Sequence, residues 1–149
     1  MTARNARRGD WNALPMPASR ATIAIDRRFS AEEMRRIRRG VLPEQMEDKW
    51  FAFFEDGKLY LHRSWTGYCN YVATFEADGD GARLNGAEVN RDPGQYLGTD
   101  PNADRERLLT LIDVVILRRP VHGNPAGEAL LELWSFAGRA MLGEHPEEE

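Results

Sequence analysis

The chain has 149 residues, of which 42% are apolar and 30% charged, with one cysteine and a formal net charge of −4, the make-up of one ordinary globular domain. Its longest unbroken apolar run, Trp50-Phe51-Ala52-Phe53-Phe54, is far short of the roughly 20 residues of a membrane-spanning helix. Cys69 alone excludes an intrachain disulfide and a multi-cysteine metal site, and Arg7-Arg8 without a following apolar stretch is no export signal, so the expected compartment is the cytoplasm.

Charge is unevenly placed. Residues 1–40 hold ten Arg against Asp10, Asp26, Glu32 and Glu33, a balance of +6 that leaves −10 for the rest. A basic end attracts phosphate, but the acidic body opposes a nucleic acid laid broadly across it. Residues 1–19 lack periodicity and carry Gly9, Pro15 and Pro17, the pattern of a flexible lead-in. A single α+β domain is expected over residues 20–143, followed by a frayed acidic tail at 144–149.

Order is expected to begin near Thr22, with Thr22-Ile23-Ala24-Ile25 as a short strand. Ser30 and Glu33 form a capping box and Gly40 a C-terminal stop, which predicts a helix over 31–39. Met34, Ile37 and Val41 share a stripe, while Arg35, Arg36, Arg38 and Arg39 surround it at the end where the macrodipole favours cations. This suits a solvated last turn better than a DNA-recognition helix.

Asp56-Gly57 between two aromatic-rich runs predicts a hairpin, because a type I′ turn requires positive φ at both central residues. The register follows: Glu55 faces Lys58, Phe54 faces Leu59, Phe53 faces Tyr60, Ala52 faces Leu61, Phe51 faces His62 and Trp50 faces Arg63. One face then carries Trp50, Ala52, Phe54, Leu59, Leu61 and Arg63, and the other Phe51, Phe53, Tyr60, His62 and Ser64. Both faces are substantially apolar, so the sheet is expected to be covered on more than one side or to line a pocket on the second. A third strand is expected from Tyr68 to Glu76, with Cys69, Tyr71, Ala73 and Phe75 on one face, and a fourth from Ala82 to Val89 after the Asp78–Gly81 turn. The turn lacks the remaining ligands of a calcium loop.

Beyond the polar loop at Asn90–Tyr96, Asp100-Pro101 starts a helix by cap and first-turn proline. Its apolar residues from Leu108 to Leu117 leave only Glu106, Thr110 and Asp113 as a polar stripe. A further capped helix is expected from Asn124 to Leu142. The predicted architecture is a three- or four-stranded antiparallel meander, with a short N-terminal strand and helix and two C-terminal helices packed on the sheet.

Chemistry concentrates at two strand ends. In His62-Arg63-Ser64-Trp65-Thr66-Gly67, Arg63 suits an anion, Trp65 a planar ring, and Ser64 and Thr66 a hydrogen-bonding frame; Arg91 and Gln95 extend this set. The opposing reading stacks Arg63 on Trp50, pairs it with Glu47 or Asp48, and makes His62 a core imidazole beside Phe51. His62 and Asp92 are the acid/base candidates, although no spacing places a carboxylate beside His62. His62, His122 and His145 form no metal-ligand pair, no nucleophilic triad is visible, and Gly79-Asp80-Gly81 is not a dinucleotide fingerprint. No cofactor is expected.

Met46-Glu-Asp-Lys-Trp-Phe51, Leu59-Tyr-Leu-His-Arg-Ser-Trp-Thr-Gly67 and Val89-Asn-Arg-Asp-Pro-Gly-Gln-Tyr96, with Leu111-Ile-Asp-Val114 behind them, resemble a family of small uncharacterised bacterial proteins. The resemblance covers residues 30–117. It implies a link to DNA glycosylase fusions or ADP-ribose-related modules, while the chain itself shows no glycosylase motif. Three functional readings therefore stand: a binding or accessory domain for an anionic, nucleotide-like ligand; an enzyme acting on a nucleotide or ADP-ribosyl linkage; and a protein-interaction domain.

Overall fold

The computed structural model describes residues 5–119. Strand β1 (Arg20–Phe29) leads into helix α1 (Ala31–Arg39), then strands β2 (Trp50–Glu55), β3 (Lys58–Arg63), β4 (Cys69–Asp78) and β5 (Gly81–Asn90), and finally helix α2 (Pro101–Leu111). All pairings are antiparallel and the strand order is β1-β5-β4-β3-β2. The fold is α+β. The meander is formed by β2 to β5, and β1 completes it as a fifth strand, longer than the four-residue stretch expected around Thr22. Because β1 and β2 lie at opposite edges, the chain crosses the full sheet between them, and α1 makes that crossing.

The local signals act as expected. Ser30 Oγ accepts from Glu33 N at 3.1 Å, Glu33 Oε1 accepts from Ser30 N at 2.7 Å, and α1 stops at Gly40, whose φ is +72°. Met34 and Ile37 are buried, while the four arginines of the last two turns are exposed. Asp56 and Gly57 have φ of 53° and 78°, and all six hairpin pairs from Trp50–Arg63 to Glu55–Lys58 have the expected register.

Both helices pack on one sheet face. Met34 and Ile37 of α1 and Leu108 and Leu111 of α2 join Trp50, Ala52, Leu59, Leu61, Tyr71, Ala73 and Leu84 in one core. Past Leu111 the helix widens into a π turn over Ile112–Ile116, where Leu117 N donates to Ile112 O, five residues back. That turn replaces the uninterrupted α-helix expected to Leu117. Asp113 is on the half-exposed edge, where its Oδ1 pairs with Arg27 Nη2 at 2.7 Å. The helix expected at Asn124–Leu142 lies outside the described residues.

The opposite face has a separate cover. Residues 5–19, expected as a flexible lead-in, are docked there: Ala6 is buried with Phe51 and Phe53, Ala6 N donates to Arg39 O and Leu14 N to Gly67 O. The Arg8 guanidinium lies 4.8 Å from both the Phe53 and Tyr60 rings and pairs with Glu55 at 2.7 Å. Aperiodic sequence misled here because the segment is held by scattered contacts, with only one 3-10 turn at Arg8–Asp10. A second correction concerns Cys69. The β3–β4 register slips by one residue between Leu61–Tyr71 and His62–Cys69, so Cys69 follows His62 onto this face rather than sharing the Tyr71 face.

Candidate functional site

The end of β3 is stitched by its own polar groups. Gly67 N donates to Arg63 O and Arg63 N to Tyr68 O, closing the turn that returns the chain into β4. Gly67 holds φ at +81°, and a Cβ there would meet Asn12 Cβ at 2.9 Å; both the turn and the passing N-terminal segment need glycine. Ser64 is buried, with N donating to Lys49 O at 2.9 Å and Oγ to Asp48 O at 2.7 Å. Thr66 Oγ1 accepts from Tyr68 N at 3.1 Å. Ser64 and Thr66 therefore hold the turn and residues 48–49 in place.

His62 is buried among Phe51, Phe53 and Tyr60, and its Nδ1 lies 2.9 Å from Gly67 O. Burial lowers its pKa against the opposing pull of the Gly67 carbonyl, as desolvation disfavours the imidazolium. It is a neutral core imidazole at physiological pH. Cys69, its cross-strand neighbour, has its thiol pushed up to about 12 by burial, and the thiol stays protonated.

Arg63 is only 2% exposed and lies over Trp50, 4.9 Å from the ring centroid. The stacking half of the structural expectation holds. The pairing half does not, since Arg63 makes no ion pair among the described residues and Asp48 Oδ2 instead accepts from the backbone N–H groups of Glu44 and Gln45. Arg63 Nε and Nη1 are buried with no hydrogen-bond partner. Burial draws the guanidinium down to about 10, still cationic at neutral pH. Stacking on a desolvated aromatic ring recovers about 2 kcal/mol, less than the several kcal/mol lost on burying an ion.

The loop after β5 reaches a different arrangement. Asn90 Nδ2 donates to Cys69 O and to Gln95 Oε1, each at 2.9 Å. Asp92 accepts from Gly94 N at 2.9 Å while its own N donates to Asn90 Oδ1 at 2.7 Å, so its carboxylate shapes the loop. Arg91 Nη2 reaches Asp104 Oδ2 at 2.5 Å, and Arg91 Nη1 donates to Asn90 O and Gly98 O. Asp104, on the first turns of α2, is fully buried; its Oδ1 accepts from Tyr96 Oη at 2.6 Å and from Arg107 Nη2 at 3.0 Å. The Tyr96 and Tyr71 hydroxyls are 2.8 Å apart, and burial raises both phenols. This is a closed network of charge-assisted bonds.

The two loops thus share one end of the sheet, joined through Asn90 and Cys69, but Arg63, Arg91 and Gln95 do not present free groups to a common space. Asp104 is the organising residue that the sequence reading passed over. Its spacing to Leu108 and Leu111 places a carboxylate on the buried stripe of an amphipathic helix, which is the signal that identifies it. Among the described residues, no group of three His, Cys, Asp or Glu side chains is placed to hold a metal, and no helix is long and apolar enough to cross a membrane.

Around the β3–β4 turn the surface is apolar. Trp11, Leu14, Met46 and Trp65 are 43%, 45%, 70% and 48% exposed, and all four are tied to this turn. Trp11 Nε1 donates to Ser64 O at 2.7 Å, Trp65 Nε1 to Met46 O at 3.2 Å, and Leu14 N to Gly67 O at 2.9 Å. Lys49 Nζ sits 4.9 Å from the Trp65 ring centroid. A shallow groove of about 230 Å³ lies elsewhere, lined by Thr22, Lys58, Val72, Thr74, Gly86 and Glu88. Compared with protein-family models, curated proteins and solved structures, the chain matches none.

Proposed function

We propose that the domain is a protein-interaction module that associates with a second copy of itself through the rim of the β3–β4 turn. The observation that carries this reading is the set of four large, exposed apolar residues tied to the five-residue turn between β3 and β4. Scattered exposed apolar residues are ordinary, whereas a clustered set with tryptophans marks association surfaces. The rim carries both signs, with Lys49 against Trp65 and exposed Glu44 and Glu47 flanking Met46. A two-fold axis sets such a rim against its own opposite charges.

A nucleotide-like anion held jointly by both loops has less support, because Arg91, Gln95, Ser64 and Thr66 spend their polar groups internally. Acid/base catalysis has less still, with His62 enclosed and Asp92 bonded within its own loop. The self-association reading predicts a concentration-dependent dimer in sedimentation equilibrium. Trp65→Asp is expected to yield a monomer that keeps the wild-type far-ultraviolet circular dichroism spectrum, with a melting temperature that no longer depends on protein concentration. A wild-type chain that stays monomeric at hundreds of micromolar overturns it.

A further inference from the structure

Arg63 presents a cost that the fold leaves unmet. Its guanidinium is 2% exposed, two of its three nitrogens lack hydrogen-bond partners, and it makes no ion pair with a carboxylate among the described residues. A guanidinium only donates and stays charged at neutral pH, and the Trp50 face compensates it without accepting a hydrogen bond in the guanidinium plane. Elsewhere in the same core, the chain supplies Asp104 for Arg91 and Arg107.

We propose that Arg63 is the receptor for a single carboxylate, brought by a small monocarboxylic acid. One positive charge without a carboxylate partner among the described residues is neutralised by one negative charge. A phosphate dianion would replace a buried excess cation with a buried excess anion. The walls around the charge suit an organic ligand: Trp50 lies beneath the guanidinium, and the Tyr71 ring centroid is 6.4 Å from that of Trp50. Entry falls to residues 44–49, which have no regular secondary structure before β2 begins and are fastened to the strand end through Ser64–Lys49, Ser64–Asp48 and Trp65–Met46 hydrogen bonds. This site is independent of the self-association reading.

The test uses the full chain, labelled with nitrogen-15, titrated with acetate or benzoate and, at matched ionic strength, with chloride or inorganic phosphate. Acetate and benzoate are expected to shift the Arg63 Nε–H resonance saturably and to raise the melting temperature, while chloride and phosphate do neither. Arg63→Met should remove the carboxylate-dependent rise in melting temperature. Should that variant fail to fold, Arg63→Lys keeps the charge without the planar fork, and at least tenfold weaker acetate binding is expected. An equal rise in Arg63→Met, an unmoved Nε–H signal, or undiminished binding by Arg63→Lys overturns the site. A phosphate response as strong as that to acetate overturns the assignment of a monocarboxylate.

Discussion

Arg63 and Arg91 follow similar sequence logic: each is an arginine at the end of a strand, followed by a polar turn. Their surroundings are opposite. Arg91 donates to a buried carboxylate and to two backbone carbonyls, whereas Arg63 has an indole face and two idle donors. The contrast teaches that the residue type announces a charge while the partners decide its role. A satisfied buried arginine is part of the scaffold. An unsatisfied one is either a burden on stability or a receptor.

The contrast breaks most sharply at Asp104. Asp104→Ala leaves Arg91 and Arg107 without their carboxylate, and removing one partner of such a buried set costs about 3–5 kcal/mol, read as a lower midpoint in urea denaturation. An unchanged midpoint would show that Arg91 needs its carboxylate no more than Arg63 does. Gly57→Val is a smaller perturbation that touches neither arginine. It forces a β-branched residue to φ near 78° and is expected to cost about 1 kcal/mol or more through the backbone alone, with the Arg63 and Arg91 side-chain resonances unmoved.

The smallest effect sharpens the comparison from the other sheet face. His62 follows the same hairpin as Arg63 and is also buried with an idle nitrogen, but it can shed its charge. Because its folded pKa lies below the unfolded value of 6.5, the unfolded chain binds the proton more readily. Stability is then full above pH 6.5 and declines as pH falls through the window down to the folded pKa. Measuring unfolding free energy between pH 7 and pH 5 should reveal this slope, and His62→Phe should remove the His62 share of it. A slope unchanged in that variant would assign the whole pH dependence to other groups.

The difference between these residues also marks what was legible beforehand. The hairpin was readable because Asp56-Gly57 admits few turns and period-two alternation then assigns every face. Helix α1 was readable from Ser30, Glu33 and Gly40 for equally local reasons. Cys69 was misassigned because a one-residue slip opposite His62 leaves no mark in an alternating pattern. The carboxylate of Arg91 lies 13 residues away, whereas Arg63 Nε and Nη1 have no hydrogen-bond partner among the described residues. A side-chain type carries no information about such pairings, although Asp104 on the stripe of Leu108 and Leu111 was a recognisable warning.

The docked N-terminal segment has a consequence for the order in which the chain is completed. Arg8 meets Glu55 across a separation of 47 residues, and Leu14 and Trp11 are anchored on the β3–β4 turn. Residues 5–19 precede the hairpin of β2 and β3 in the chain and therefore have no seat until that hairpin has formed. During that interval Phe51 and Phe53 lack their outer cover, and a contact of long sequence separation closes that face of the hairpin.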